Sequence, residues 1–221
     1  SQTGANSIVY ELVSNVVDCF LAQQASCVSV QVSAEVIHVE DDGPGLPIDK
    51  PSPDETASSL AEHYLLHKHF TATADGHPPD IHILGGCAGL AVINAAAARL
   101  SVTSSNGSAT YKQSFVDGIV GEKGLVESPS NAQGTTIELE LSPDIFGQHG
   151  VHEPSPRSVL LIVAHFYRGL VVEFQEERFV SRRGLLDLAL LQHTHAPSHL
   201  ELGVPKKFFF EDKEDGVQIH V

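Results

Sequence analysis

Between residues 100 and 141 the sequence runs through short segments in which apolar and polar residues alternate, with no helical segment between them. Strands are predicted at 100–105, 110–116, near Leu125 and at 135–141. An Asn-Gly pair at 106–107 separates the first two, which is the signature of a tight hairpin. Strands joined by such short turns pair antiparallel, whereas parallel strands need a long crossover. The succession therefore predicts an antiparallel meander and excludes a βαβ series.

The flanking sequence adds helices and further strands to this meander. Apolar residues at helical spacing predict helices over 6–23, over 54–69 with Asp54 or Ser52 as cap, over 156–167 and over 182–191. A glycine-rich turn at 85–89 runs into an alanine-rich helix. Strands are predicted at 27–32, 36–40 and 170–174, with a closing hairpin around Asp215-Gly216. The expected fold is α+β: a two-layer sandwich with a mixed, mostly antiparallel sheet and helices on one face.

The composition supports a folded domain and argues against direct contact with nucleic acid. Hydrophobic residues make up 42% of the 221 residues, enough for a core. Lys and Arg total 13 against 28 Asp and Glu, a formal net charge of −15. That field repels a phosphate backbone, so any DNA must be bound by other domains. No apolar run nears the roughly 20 residues of a membrane span, and the first residues lack a signal-peptide pattern.

Cysteine and histidine do not form a recognisable metal motif. The cysteines, at positions 19, 27 and 87, match no zinc or redox spacing and are predicted to be buried thiols in a reducing compartment, the cytoplasm. Two groups of histidines stand out, at positions 63, 67 and 69 and at positions 193, 195 and 199. No carboxylate or cysteine completes either set at a familiar spacing. We therefore expect solvated surface, with a metal site at either group as the alternative.

One helix combines an apolar face with three polar side chains. Glu11, Asn15 and Asp18 stand at i, i+4 and i+7, so they share one stripe of the first helix. Taken alone, the stripe is typical of the solvated face of an amphipathic helix. An acid, an amide and a second acid are also suited to a water nucleophile and to Mg²⁺, which binds few protein oxygens and keeps its waters.

Three glycine-containing motifs follow in order. DDGPGLP at 41–47 comes directly after a strand, and its glycines permit close approach of the backbone beside a carboxylate. GGCAGLA at 85–91 opens a helix whose free N–H groups suit an anion, although it lacks the Walker lysine. GTT at 134–136 leads into a strand. Each is also compatible with an ordinary turn when taken alone.

In this order the four elements resemble the GHKL ATPase superfamily (Bergerat fold), and most closely the N-terminal ATPase domain of gyrase B and of its topoisomerase IV counterpart, ParE. The stretches that carry the closer resemblance are VYELVSNVVDCF, VEDDGPGLP and GTTIELELSPDIF. The resemblance extends from Ile8 to the end of the chain. It implies a GHKL ATP-binding domain over 1–200 and the truncated start of a transducer domain over 201–221.

The resemblance also implies roles for individual residues. Glu11 would be the general base, and Asn15 would bind the Mg²⁺ that bridges the phosphates of ATP, with Asp18 nearby. Asp41 would accept the adenine amino group with help from Thr135. The remaining nucleotide contacts implied are Gly43 and Gly45 beside the base, Gly85, Gly86 and Gly89 around the phosphates, and Lys112 at the pocket mouth, where relatives carry an arginine.

Some family features are changed or lie outside the sequence. Cys19 and Pro44 replace an acid and an arginine that pair in relatives, and Ala88 and Ala91 alter the glycine-rich lid. The arm that crosses to a dimer partner would precede Ser1, and the lysine that reaches the γ-phosphate would follow Val221. We therefore expect this chain to bind ATP and to hydrolyse it weakly.

The implied function is that of an ATP-hydrolysing type II DNA topoisomerase, an isomerase in which the nucleotide closes a dimer gate for DNA strand passage. Its implied partners are a second copy, joined through the N-terminal arm, and a DNA-cleavage subunit of the gyrase A or ParC type. The other domains would bind DNA. Two alternatives remain: a nucleotide-binding scaffold with little turnover, and a MutL-like mismatch-repair ATPase.

Overall fold

A computed structural model describes residues 2–68, 89–121, 125–127, 132–147, 150–152, 154–195, 211–214 and 217–220. Its helices are α1 (Gln2–Leu21), α2 (Leu60–Leu66), α3 (Leu90–Ala96), α4 (Pro143–Phe146), α5 (Pro154–Phe166) and α6 (Leu185–His195). The first strands are β1 (Cys27–Val32), β2 (Val36–Asp41), β3 (Ala97–Asn106), β4 (Thr110–Val116), β5 (Ile119–Val120) and β6 (Leu125–Glu127). The others are β7 (Gln133–Leu141), β8 (Val171–Phe174), β9 (Glu177–Phe179), β10 (Glu211–Glu214) and β11 (Val217–His220).

Nine of the described strands form one sheet, in the order β5-β4-β3-β7-β2-β1-β8-β9, with β6 also paired to β4. Every pair in it is antiparallel except β1 with β8, which run parallel. The predicted fold class, a mixed and mostly antiparallel sheet layered with helices, is therefore confirmed. None of the described helices has the length and apolar character to cross a membrane.

The core lies between the helices and one face of the sheet. Alternate residues of β7 are buried, as strand geometry requires when one face is covered. Helix α1 packs on β1 and β2 of the same sheet. Its apolar residues stand at helical spacing, and Val9, Val13 and Val17 are fully buried. The opposite face of the sheet carries exposed polar side chains such as Ser101, Glu138 and Glu140. Burial on one side only fixes the register, because a slip of one residue would turn every apolar side chain outward.

Two predicted helices are shorter than their sequences indicate. α2 begins at Leu60 rather than near 54, and its cap is Ser59, whose side chain accepts the N–H of Glu62. Asp54 instead accepts the backbone N–H of Thr56 at 2.9 Å and forms a local turn. The alanine-rich helix α3 ends at Ala96, because Ala97 already pairs with Leu141 in the sheet.

The C-terminal part adds strands to the same sheet. β8 was predicted, and β9, a three-residue strand that pairs with it, was not. The predicted hairpin around residues 215–216 is confirmed, since β10 pairs antiparallel with β11 in a separate two-stranded sheet. The division into domains at residues 200 and 201 stays a prediction.

Candidate functional site

Three polar residues lie side by side where β2 and β3 end and β7 begins. Asp41 pairs with Thr135 and Thr135 pairs with Ser104, so the three side chains share one face of the sheet. The hydroxyl oxygens of Thr135 and Ser104 are 3.1 Å apart and buried. Ser104 Oγ also accepts the backbone N–H of Leu46 at 2.7 Å. This polar row therefore anchors the DDGPGLP turn to the neighbouring strand.

The backbone approaches at this corner are too close for any side chain. A Cβ added to Gly45 would lie 2.4 Å from the carbonyl oxygen of Ser105, and the φ of Gly45 is +75°. A Cβ added to Gly134 would lie 2.0 Å from the carbonyl oxygen of Asp41, at a φ of +131°. Both positions thus require glycine for space and for backbone conformation. The glycines let the turn and the start of β7 lie directly against the ends of β3 and β2.

The Asp41 carboxyl is held in place but is hard to ionise. Its Oδ1 accepts the N–H of Gly43 at 2.8 Å. Burial raises the pKa of Asp41 from 3.8 to about 6, against the opposing effect of backbone hydrogen bonds from Gly43 and Thr135. Burial, followed by the charges of Asp41 and Asp18, raises the pKa of Cys19 to about 11. Cys19 is therefore a neutral thiol beside the carboxyl, half-buried rather than buried as predicted.

Glu11 makes the connection between α1 and the glycine-rich turn. Its side chain is only 7% exposed, and Oε1 accepts the backbone N–H of Gly89 at 2.8 Å. Gly89, with φ 75°, is the residue directly before α3. A buried carboxylate is thereby placed on a free N–H at the start of a helix. The interpretation of Glu11 as part of a solvated face does not hold, because this carboxylate faces the protein interior.

The structure does not bring all predicted site residues together. Asn15 and Asp18 are exposed on the same helix as Glu11. Lys112 pairs with Thr103, which directly precedes Ser104 in β3. Because successive residues of a strand point to opposite faces of the sheet, the exposed side chain of Lys112 lies on the face opposite to Ser104. This placement does not support a nucleotide contact from Lys112. Gly85, Gly86 and Ala88 lie outside the described residues.

Sequence reasoning missed one member of the polar row and one cluster. Ser104 is an ordinary strand residue in the sequence, and only the pairing of β3 with β7 shows its contact with Thr135. His63 and His67 were expected to be solvated surface residues with no carboxylate to complete a ligand set. In the structure Asp54 supplies that carboxylate, and one of its oxygens lies within 4.8 Å of a ring nitrogen of each histidine.

Comparison with known proteins gives the family of this site. The model of the family described as histidine kinase-, DNA gyrase B- and HSP90-like ATPase matches residues 1–145. The chain belongs to this ATPase family. The match includes Glu11, Asp41, Gly89 and Thr135, so these contacts lie in the part of the chain that the family defines. Because the members of this family are ATPases, the matched part of the chain is an ATP-binding domain.

Relatives and a solved structure agree with this membership. The gyrase B protein of Mycolicibacterium smegmatis is 26% identical over 199 residues, 89% of this chain and 28% of that protein. The corresponding B protein of DNA topoisomerase 4 from Rickettsia bellii is 28% identical over 179 residues, 77% of this chain and 26% of that protein. The crystal structure of the 43K ATPase domain of Thermus thermophilus gyrase B in complex with an aminocoumarin shares the fold. Its TM-score is 0.72 at 22% identity, over 95% of this chain and 54% of that one.

The chain spans between a quarter and a third of these two relatives. It is an ATPase-family domain related to gyrase B and to its counterpart in topoisomerase IV.

Proposed function

We propose that this ATPase-family domain binds and hydrolyses ATP as part of a type II DNA topoisomerase, with the nucleotide closing a dimer gate for strand passage. The observation that carries the proposal is the hydrogen bond from Gly89 to the buried carboxylate of Glu11. It brings a base to the backbone turn that is suited to a phosphate. The relatedness to gyrase B and to its topoisomerase IV counterpart supports the larger assignment.

The polar row supports recognition of the adenine ring. The Asp41 carboxyl accepts the backbone N–H groups of Gly43 and Thr135, and its two oxygens have further lone pairs with which to accept the amino group of adenine. The buried Thr135 hydroxyl lies beside it and would hold a bridging water. Gly43 and Gly45 leave room for the base to approach the backbone. An acceptor in a partly buried site discriminates strongly, because a ligand without a donor would leave it unpaired.

The reacting phosphates would lie between α1 and the glycine-rich turn. Gly89 would donate its N–H to a phosphate oxygen, with Gly85 and Gly86 contributing from the segment before it. Because a single N–H group makes a strong hydrogen bond to only one anion, we expect a phosphate oxygen to displace the Glu11 carboxylate from the N–H of Gly89. The released Glu11 would then orient and deprotonate the attacking water.

The exposed members of the α1 stripe suit the metal that accompanies ATP. Asn15 stands one helical turn after Glu11 and is exposed, as a ligand of a largely hydrated Mg²⁺ must be. Asp18, one turn further on, would add negative charge beside it. When bound, Mg²⁺ would supply positive charge that offsets the charge developing on the phosphates in the transition state.

In the proposed topoisomerase, DNA would be bound by other domains and subunits and not by this chain. The net charge of −15 disfavours DNA binding here. We propose that DNA is bound by other domains of a longer cytoplasmic protein, that this protein forms a homodimer, and that it acts with a DNA-cleavage subunit of the gyrase A or ParC type.

The test is Glu11→Gln in the full-length protein, because glutamine retains an acceptor oxygen for Gly89. Loss of a general base lowers turnover by about 10²–10⁴-fold, whereas binding of a non-hydrolysable ATP analogue should be equal or tighter. Glu35→Gln, at an exposed acid in the turn between β1 and β2, is the matched control. Hydrolysis by the Glu11 variant at the parental rate would refute the assignment.

DNA relaxation by the full-length protein with its cleavage partner tests the topoisomerase role separately. Analogue binding without ATP turnover in the parent would indicate a scaffold. ATP turnover without relaxation would favour a repair ATPase of the MutL type.

A further inference from the structure

A second cluster of potential ligand atoms lies between α2 and the loop that precedes it. His63 is in the middle of α2 and His67 is the residue at its C-terminal end, four positions later. Their rings lie on one side of the helix with centroids 4.6 Å apart. Asp54, from the loop, completes a group in which one ligand atom of each residue lies within 4.8 Å of the others.

The geometry at His63 is that of two ligands rather than of a hydrogen bond. Nδ1 of His63 lies 3.3 Å from Oδ2 of Asp54. This nitrogen is buried and has no hydrogen-bond partner, because the carboxylate oxygen lies off the direction that its N–H would take. Two atoms that are each about 2.0–2.1 Å from a tetrahedral zinc ion are about 3.3–3.4 Å apart. The pair thus already has the separation that a shared ion would impose.

A neighbouring hydroxyl positions the other two members. Thr56 Oγ1 lies 2.6 Å from Nε2 of His67 and also makes a short hydrogen bond to Oδ1 of Asp54. The backbone N–H of Thr56 donates to the same carboxylate oxygen at 2.9 Å. Contacts of this kind orient the ligands of metal sites and fix the tautomer of a coordinating imidazole. The other carboxylate oxygen of Asp54, Oδ2, is the one that lies 3.3 Å from Nδ1 of His63.

The donor set indicates which ion would bind. Two imidazole nitrogens and one carboxylate oxygen are typical of Zn²⁺ and poor for Mg²⁺ or Ca²⁺, which prefer oxygen ligands. The Asp54 side chain is 43% exposed and that of His63 14%, so solvent reaches one side of the cluster. A water molecule could therefore supply the fourth ligand of a tetrahedral ion.

We propose that Asp54, His63 and His67 form a zinc-binding site, separate from the nucleotide site. A bound ion would tie the loop before α2 to the end of that helix. The segment 69–88, whose sequence includes Gly85 and Gly86, follows directly. Zinc would thus stabilise the fold where the chain enters its glycine-rich segment, independently of whether the domain hydrolyses ATP.

The test uses the chain without a histidine tag, freed of metal by a chelator and titrated with Co²⁺ and Zn²⁺. We expect one tight equivalent, visible absorption typical of tetrahedral Co²⁺, and a higher Tm with Zn²⁺. Asp54→Asn and His63→Gln should each weaken binding by on the order of 100-fold or more. Thr56→Val, which removes only the orienting hydroxyl, should weaken it about 10-fold, at the lower end of the range for such contacts.

His38→Gln is the matched control, because His38 also lies beside a single carboxylate, 3.4 Å from Glu138. It should bind Zn²⁺ as the parent does. Asp54 is exposed in a loop, so loss of folding would not account for the behaviour of its variant. Equal titrations of the parent and the Asp54 variant would overturn the proposal, as would a parent that shows no tetrahedral Co²⁺ spectrum.

Discussion

The substitution Asp41→Asn replaces an oxygen by an amide nitrogen at a carboxyl that burial makes hard to ionise. The folded-state pKa of about 6 lies above the unfolded value of 3.8. Ionisation of Asp41 therefore opposes folding: the cost is absent below pH 3.8, grows as pH rises and is complete above pH 6. At 1.36 kcal/mol per pKa unit it amounts to about 3 kcal/mol at pH 7.5 and about 1 kcal/mol at pH 4.5.

Asparagine avoids this cost, and its carbonyl oxygen can still accept the N–H of Gly43. The hydrogen bonds to the ionised carboxylate are already contained in the raised pKa of Asp41, so their loss is not subtracted a second time. We therefore expect Asp41→Asn to raise the free energy of unfolding by about 3 kcal/mol at pH 7.5 and by about 1 kcal/mol at pH 4.5. Urea denaturation at these two pH values, on either side of the pI of 5.1, measures both.

The same variant should also lose affinity for ATP. With its oxygen held by Gly43, the amide presents an NH₂ group where the adenine amino group is proposed to donate, and affinity should fall at least about 100-fold. Asp42→Asn is the control. Partial burial raises the pKa of Asp42, but hydrogen bonds from Ser26 and Cys27 outweigh it and lower that pKa, so this variant should destabilise. An Asp41 variant no more stable than the parent at pH 7.5 would refute the reasoning.

Four further outcomes are expected, three at the same corner and one at Gly147, directly after α4. Thr135→Val removes the hydroxyl that contacts Ser104 and should weaken ATP binding about 10-fold in calorimetry, with near-normal Tm. Gly134→Ala should cost several kcal/mol in urea melts, because its Cβ would meet a carbonyl oxygen at 2.0 Å. At Gly147 φ is positive but an added Cβ would have no atom within 4 Å, so Gly147→Ala should lower the free energy of unfolding by only about 1 kcal/mol. Binding of an ATP analogue to the parent should weaken about tenfold per pH unit below pH 6, beyond the titration of the analogue itself, as Asp41 protonates.

Periodicity predicted the strands better than the helix ends. β1 was predicted with its observed bounds, because apolar residues alternate clearly along it. The start of α2 was wrong because three capping residues, Ser52, Asp54 and Ser59, compete for one helix, and the turn at Asp54 decides between them. The end of α3 was not predicted, because alanine favours a helix locally, whereas pairing with Leu141 draws Ala97 into the sheet.

The sequence predicted which types of residue form the candidate site, but not which of them contact one another. Glycine-rich motifs and the spacing of Glu11 from Asn15 are visible in the sequence. The bond between Glu11 and Gly89 spans 78 positions, and depends on how the tertiary fold brings the residue before α3 to α1. Asp54 precedes His63 by nine positions along an irregular loop, so no ligand spacing could have indicated that pair. Contacts of this kind depend on tertiary structure.

The parallel pairing of β1 with β8 has a practical consequence for where the chain can be cut. The family match stops at residue 145, yet β1 is an interior strand only because β8 covers its outer edge. A chain ending at 145 would expose the hydrogen-bonding groups of β1 along that edge, and would lose the buried side chains of Val172 and Phe174. Unpaired edges of this kind recruit strands from other molecules. Such a fragment should aggregate, so expression of this domain should extend at least beyond β9.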